Sequence, residues 1–289
     1  MPLDPTLVGR ELGRLDVRPD ARWLMAYAAG VPDERPELYE TRAALVTHPL
    51  FPVAPEWELL ITSHSTPRAM PRSESVRGVH YAHDVIVERS LRPDDELVLT
   101  ATVIGVDRRR AGATQDVVFH AVDASGATVW RTRMTSLFRG VALVGEPVTV
   151  DVGWPEGLGE PDTVAPPRPL AQVRSHVRSV DAHVYTECAR IWNPIHTDTA
   201  VAEEAGLHAP ILHGTATLAR AVSLVTGMAG VPLADVRRVS GRFAAMVDLD
   251  TTVTVRLLHA GPTVLRFDVV NGAGLVAVAG GAIGVGSVE

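Results

Sequence analysis

The chain contains no lysine; all 27 of its basic residues are arginine. Without an ε-amino group there is no Schiff base, which excludes pyridoxal-phosphate and class I aldolase chemistry. A phosphate-binding P-loop needs its own lysine and is excluded with it. Cys188 is the single cysteine. The chain therefore closes no internal disulfide and builds no thiolate metal cluster, and inside an amphipathic helix such a residue acts as a small hydrophobe. A G-x-S-x-G elbow is missing, so a serine hydrolase is not supported. Long apolar runs are missing as well. The longest candidate, residues 275–286, is rich in Gly and Ala and reads as a strand, well short of the roughly twenty apolar residues of a membrane span. Residues 1–16 have no apolar centre of signal-peptide length. The expectation is a cytoplasmic protein with no membrane partner.

What is present is ordinary for a soluble globular chain. Apolar residues make up 46% of its 289 positions and charged ones 21%, enough for sizeable cores in one large or two modest domains. The net charge of −7 and the pI near 5.9 give no electrostatic reason to bind nucleic acid or an anionic membrane. Arg108, Arg109 and Arg110 form a local basic run, read either as a solvated hairpin loop or as a phosphate contact.

Along the chain, residues 1–20 look like an irregular lead-in. Residues 22–30 (RWLMAYAAG) carry a helical pattern closed by a glycine, with Pro32 just after it. Pro49, Pro52 and Pro55 mark a loop, and residues 57–63 read as a β-rich run. Residues 79–90, 97–106, 116–122 and 127–138 are strand-like and divided by turn signals. Residues 141–170 are dense in Pro and Gly and read as a linker, since such a run holds neither a helix nor a central strand. After a strand at 172–179 and a helical stretch, strands return at 236–246, 251–259, 265–271 and 275–285.

The two strand blocks resemble each other in detail. LRPDDELVLTATV (91–103) parallels MVDLDTTVTVRLL (246–258), an acidic turn before a β-branched strand. DVVFHAVDASGATVW (116–130) parallels RFDVVNGAGLVAV (266–278), strand, Gly turn, strand. An internal duplication accounts for both. The expected fold class is α+β, two tandem units that each curl an antiparallel sheet around a helix. Pairing the two edge to edge covers exposed strand edges. The expected units are 1–140 and 171–289, joined by 141–170.

The chemistry concentrates in residues 185–214, YTECARIWNPIHTDTAVAEEAGLHAPILHG. Asn193-Pro194 is a turn dipeptide that leaves His196 where a loop presents a side chain to a ligand. Gly214 opens a helical run, where a backbone N–H is offered to an anion. WNPIHTD (192–198) and APILHG (209–214) resemble the signature of the MaoC-like (R)-specific enoyl-CoA hydratases, the hydratase 2 family of hot-dog proteins. The likeness is specific over 173–258, and the duplicated layout is similar to the double hot-dog members over nearly the whole chain. The resemblance implies a hydro-lyase acting on CoA- or carrier-protein-bound acyl thioesters, with no cofactor. It implies a degenerate N-terminal unit that shapes the acyl pocket, a C-terminal unit that holds the site, and a homodimer. His196 takes the place of the family's catalytic histidine, Asn193 that of the asparagine holding the water, and Gly214 that of the oxyanion donor at the helix start. His213, beside it, is read either as orienting the pocket or as a satisfied buried histidine.

This chain departs from the family's pattern at one place. S-G-D-x-N-P-x-H becomes Ala189-Arg190-Ile191 before the tryptophan, so Ile191 stands where the catalytic aspartate belongs. Glu187, one helical turn earlier on the same face, is read either as a substitute acid or as an exposed helical glutamate. Tyr185 is read as a donor to the substrate or as a core aromatic. Arg190 is read as a partner of Glu187, a contact to a substrate anion, or a solvated arginine. Asp198 heads the next helix as its N-cap. His80 and His83, three apart on a strand, are expected to point to opposite faces, and His208 and His213 have no ligand cluster around them, so no metal is expected. The alternatives to a hydratase are a thioester-binding pseudoenzyme or partner subunit, and a different histidine-dependent reaction such as cyclisation, epimerisation or thioester hydrolysis.

Overall fold

The computed structural model describes residues 3–62, 78–158 and 168–286. In chain order come β1 (Glu11–Val17), α1 (Ala21–Gly30) and α2 (Val53–Thr62), then a meander of β2 (Gly78–Val87), β3 (Leu97–Arg109), β4 (Gly112–Asp123) and β5 (Thr128–Arg139), and the short β6 (Val148–Thr149). The second half runs β7 (Ala171–Val177), α3 (Asp181–Ala189), α4 (Thr199–Glu204), β8 (Ile211–Leu212) and α5 (Gly214–Ala229). It ends with β9 (Val236–Phe243), β10 (Val247–Asp248), β11 (Thr251–Ala260), β12 (Val264–Val270) and β13 (Val276–Val285).

Ten strands follow one path, β1-β3-β4-β5-β2-β9-β13-β12-β11-β7, with β6 added on β3; β8 pairs with β10 apart from it. Counting only the long strands, each half places its first strand at the outer edge, then its third, fourth, fifth and second. The same order in both halves is the structural form of the repeat seen in the sequence. The paralleled segments fall on β3 and β11 and on the β4–β5 and β12–β13 hairpins. Helix α2 packs on the first half-sheet, and α5 on the second. The architecture is a double hot-dog.

The halves join where β2 pairs antiparallel with β9, from Ala82 opposite Arg242 to Ile86 opposite Arg238. The outer face of this seam is locked by charge. Arg238 donates from Nε and Nη2 to the two oxygens of Asp84 at 2.8 and 2.6 Å, and Trp154 Nε1 donates to the same carboxylate at 3.0 Å. Such a forked, charge-assisted pair adds geometric specificity as well as energy. Arg238 Nη1 also donates to the Glu156 carbonyl at 2.7 Å. Residues 154–156 of the expected linker therefore strap across the joint.

Three expectations need correction. Residues 1–20 are not an irregular lead-in, because β1 pairs with β3 along Glu11–Val17; its half-buried alternation is too weak a pattern to see before its partner is known. Residue 63 lies outside the described residues, and residues 57–62 of that expected run are not a strand. They continue α2, whose Pro55 sits in the first turn where no N–H is required. That helix buries Val53, Ala54, Glu56 and Leu59, and the buried carboxyl disguised its apolar face. Glu56 accepts from Trp130 Nε1 at 3.0 Å and from Thr132 Oγ1, and burial pushes its pKa up to about 7. The Pro/Gly-rich 141–170 segment is not all loop, since Val148 and Thr149 pair with Val106 and Gly105. The Arg108–Arg110 run closes the β3–β4 hairpin, with Arg108 and Arg109 exposed and facing Glu146 and Asp107.

Candidate active site

Helix α3 ends at Arg190, which takes a left-handed conformation (φ 57°, ψ 34°) and bonds its N–H to the Thr186 carbonyl. A left-handed residue is where glycine normally closes a helix; this is the position at which the hydratase pattern has one. Arginine is accepted there while its guanidinium lies over the Trp23 ring, 3.9 Å from the centroid, a cation–π contact. Ile191 follows, buried, with its own N–H on the Thr186 carbonyl at 3.0 Å.

The chain then turns at Asn193, and Pro194–His196 form a single 3-10 turn with proline at its start. Asn193 makes no side-chain cap bond, and its carbonyl accepts from the His196 N–H at 3.1 Å. His196 is half-buried. Its Nδ1 lies 2.8 Å from the Ile211 carbonyl on β8. A carbonyl only accepts, so Nδ1 carries the proton and Nε2 keeps its lone pair. The tautomer is thus set by the backbone of β8.

The His196 ring stacks on His213, centroids 3.6 Å apart and planes 26° from parallel. His213 is buried, sits as the N-cap residue of α5, and faces the Thr186 hydroxyl through Nε2 at 3.3 Å. It makes no side-chain cap bond, so the first-turn N–H groups beginning at Gly214 have no cap at the positive end of a 16-residue helix. A Cβ at Gly214 would meet the Phe243 ring at 3.0–3.2 Å, so glycine lets the ring close over the helix start. Tyr185 lies 5.0 Å from the His213 ring and donates to Thr215 Oγ1 at 3.2 Å, with Tyr27 Oη 3.4 Å away. Burial pushes the Tyr185 hydroxyl up to about 12, so it stays protonated. Asp198 caps α4 through the N–H groups of Ala200 and Val201.

The structure thus gathers His196, His213, Gly214 and Tyr185, with Asn193 on the same turn. It does not bring Glu187 to them. Glu187 is exposed beside His183 on the outer stripe of α3, opposite buried Ala182, Tyr185, Thr186 and Ala189. Arg190 is spent on Trp23 and makes no ion pair with Glu187. Sequence alone did not single out Thr186 and Thr215, which sit beside Tyr185 and Gly214, nor Tyr27 and Phe243, which reach the site from distant segments and carry no local signal. The expected divergence of His80 and His83 is also wrong. A bulge at Tyr81 shifts the β2–β5 register between His80 and Ala82, and the two rings meet at 5.3 Å.

Desolvation dominates the electrostatics. Burial holds His196 near 4, and burial with the neighbouring His196 holds His213 well below 6.5. Burial also lowers His48 and His83 to about 4 and His80 to about 3. A histidine whose folded pKa lies below its unfolded value leaves the unfolded chain binding more protons between the two. Its contribution to stability is complete above about 6.5 and is lost as pH falls toward the folded pKa. Each such group then removes on the order of 2–3 kcal/mol by pH 4.5. We expect Tm to drop by more than about 10 °C between pH 7 and pH 4.5. Thermal melts across that range decide it; a flat Tm down to pH 4.5 would show that these rings are solvated.

Sequence and structure comparisons bear on the family and the fold. Residues 163–281 match the family profile described as MaoC like domain. This segment is similar to a MaoC-like domain. It spans α3, the histidine turn and α5, so the whole stacked pair lies within it. No curated protein matches the sequence. Among solved structures, the MaoC-like dehydratase from Phytophthora capsici is similar over 97% of this chain and 96% of its own, with TM-score 0.83 and 21% identity. The peroxisomal multifunctional enzyme type 2 of Drosophila melanogaster aligns over 95% of this chain but 48% of its own, with TM-score 0.73 and 24% identity. A Mycobacterium tuberculosis protein described as having a double hot-dog fold aligns over 96% of this chain and 95% of its own, with TM-score 0.59 and 12% identity. At these identities the likeness is one of fold. Among the described residues, no helix accompanying the MaoC-like domain is long and apolar enough to cross a membrane.

Proposed function

We propose that the protein is a hydro-lyase that interconverts 2-enoyl and 3-hydroxyacyl thioesters of CoA or a carrier protein. The observation that carries this reading is the His196 tautomer: a neutral ring with its Nε2 lone pair free, stacked on the residue that begins α5. In the hydration direction the thioester oxygen sits on the Gly214 N–H, where the helix end stabilises the enolate-like charge. His196 Nε2 takes a proton from water as the water oxygen bonds to C3, and Asn193 holds that water. With Ile191 unable to donate, the same His196 returns the proton to C2. Atoms balance with one base. An imidazole held near 4 is a weak base and, once protonated, a strong acid, so turnover should be slow.

In this reading the unit of residues 1–140 shapes the acyl pocket and residues 171–289 carry the chemistry. Two chains pair as a homodimer. The test is direct: trans-2-enoyl-CoAs of increasing length are mixed with the purified protein and the enoyl thioester absorbance is followed. Slow loss of absorbance is expected at short lengths. Tight binding with no absorbance change at any length would instead favour the thioester-binding partner reading, for which buried Ile191 is the supporting observation.

A further inference from the structure

The inner face of the β2–β9 seam holds a second pair of histidines that the proposed mechanism does not use. His83 lies opposite Gly241 in the seam register, so both point to the same side. A Cβ at Gly241 would meet Leu218 of α5 at 3.2 Å and Val278 at 3.1 Å; the pair therefore faces α5, one turn from its start. Phe243, two residues on, shares this face and covers Gly214. His80, turned inward by the Tyr81 bulge, packs edge-on against Phe243 at 4.9 Å and against His83 at 5.3 Å. The order from the helix start is Gly214, Phe243, His80, His83.

These rings are short of partners. His83 is 1% exposed, and neither of its nitrogens has a hydrogen bond; His80 Nε2 is buried and equally unpaired. A buried polar group left in this state is destabilising, and most such groups in folded proteins are satisfied. No third metal-ligating side chain joins the two among the described residues. Burial holds both rings well below neutrality, so each offers one donor and one acceptor without charge. That chemistry suits a neutral oxygen.

Resting on the reading of Gly214 as the thioester site, we propose that His80 and His83 bind a hydroxyl or keto oxygen on the acyl chain. The substrate class is then oxygenated acyl thioesters. The chain runs from Gly214 past Phe243 into the N-terminal half and meets the histidines a few carbons beyond the reacting ones. Binding, rather than turnover, is the readout. Saturated acyl-CoAs bearing a hydroxyl or keto group at successive positions beyond C3, and their plain parents, are titrated calorimetrically. At one position the oxygenated ligand should bind about tenfold tighter than its parent, the worth of one buried hydrogen bond. His80→Phe with His83→Leu should erase that preference and leave the plain ligand's affinity within about twofold. His83→Gln, close in size and still polar, should keep part of it if the double variant fails to fold. Equal affinity for every oxygenated ligand and its parent, a preference that survives the substitutions, or no binding at all would overturn the proposal. A preference found in a protein that hydrates no enoyl-CoA would overturn only the hydro-lyase reading.

Discussion

Replacing His196 by alanine is expected to lower kcat/KM for a short trans-2-enoyl-CoA by about 10²- to 10⁴-fold, the range that a positioned general acid–base group supplies. Its ring is oriented twice, by the Nδ1–H bond to Ile211 and by the stack on His213. Neither Glu187, which faces solvent from α3, nor Ile191, which has no proton to exchange, replaces it. The pH profile gives an independent reading. A base is lost as pH falls through its pKa, so wild-type kcat/KM should be flat from pH 8 to about 5 and fall as pH approaches about 4. The variant should melt within a few degrees of wild type, since one half-buried ring and roughly 1 kcal/mol of hydrogen bond are lost. Equal rates for the two proteins would remove His196 from the chemistry.

Installing a carboxylate by Ile191→Asp is expected to act in the opposite direction, raising kcat/KM by about 100-fold or more. The position is one residue past the left-handed Arg190, and its N–H is tied to the carbonyl of Thr186, whose hydroxyl faces His213. A second titratable group then divides the work: one group takes the proton from water and the other delivers one to C2. Ile191 is 4% exposed, so burial would raise the new carboxyl's pKa and keep it in the donating form. The same burial should destabilise the fold by on the order of 1–3 kcal/mol, visible as a lower urea midpoint. An unchanged rate would show that the second proton does not pass through position 191. A lower rate would show that the isoleucine side chain serves the substrate itself.

Much of the molecule was legible in the chain. The doubled pattern of turn and β-branched strand was visible because hairpins are built from neighbouring residues, and β3, β4 and β5 against β11, β12 and β13 show it. The Asn193-Pro194 turn and the Gly214 helix start were legible for the same reason. Helix α2 was not, because its buried face includes Glu56, whose partners Trp130 and Thr132 lie more than seventy residues away. Nor were the roles of Arg190 and Glu187, which share the end of α3. Trp23, from the other half, occupies the arginine, while the glutamate's place on the helix turns it to water.

By itself, then, the sequence determined the exclusions, the duplication and the region of the candidate site. Each follows from composition or from patterns a few residues long. The tertiary structure alone decided which groups meet there. The Ile211 carbonyl chooses the His196 tautomer, the packing of α5 on β9 brings Phe243 over Gly214, and one bulge at Tyr81 turns His80 to the side of His83. Register and bulges depend on packing summed over a whole sheet, which no local window of residues contains.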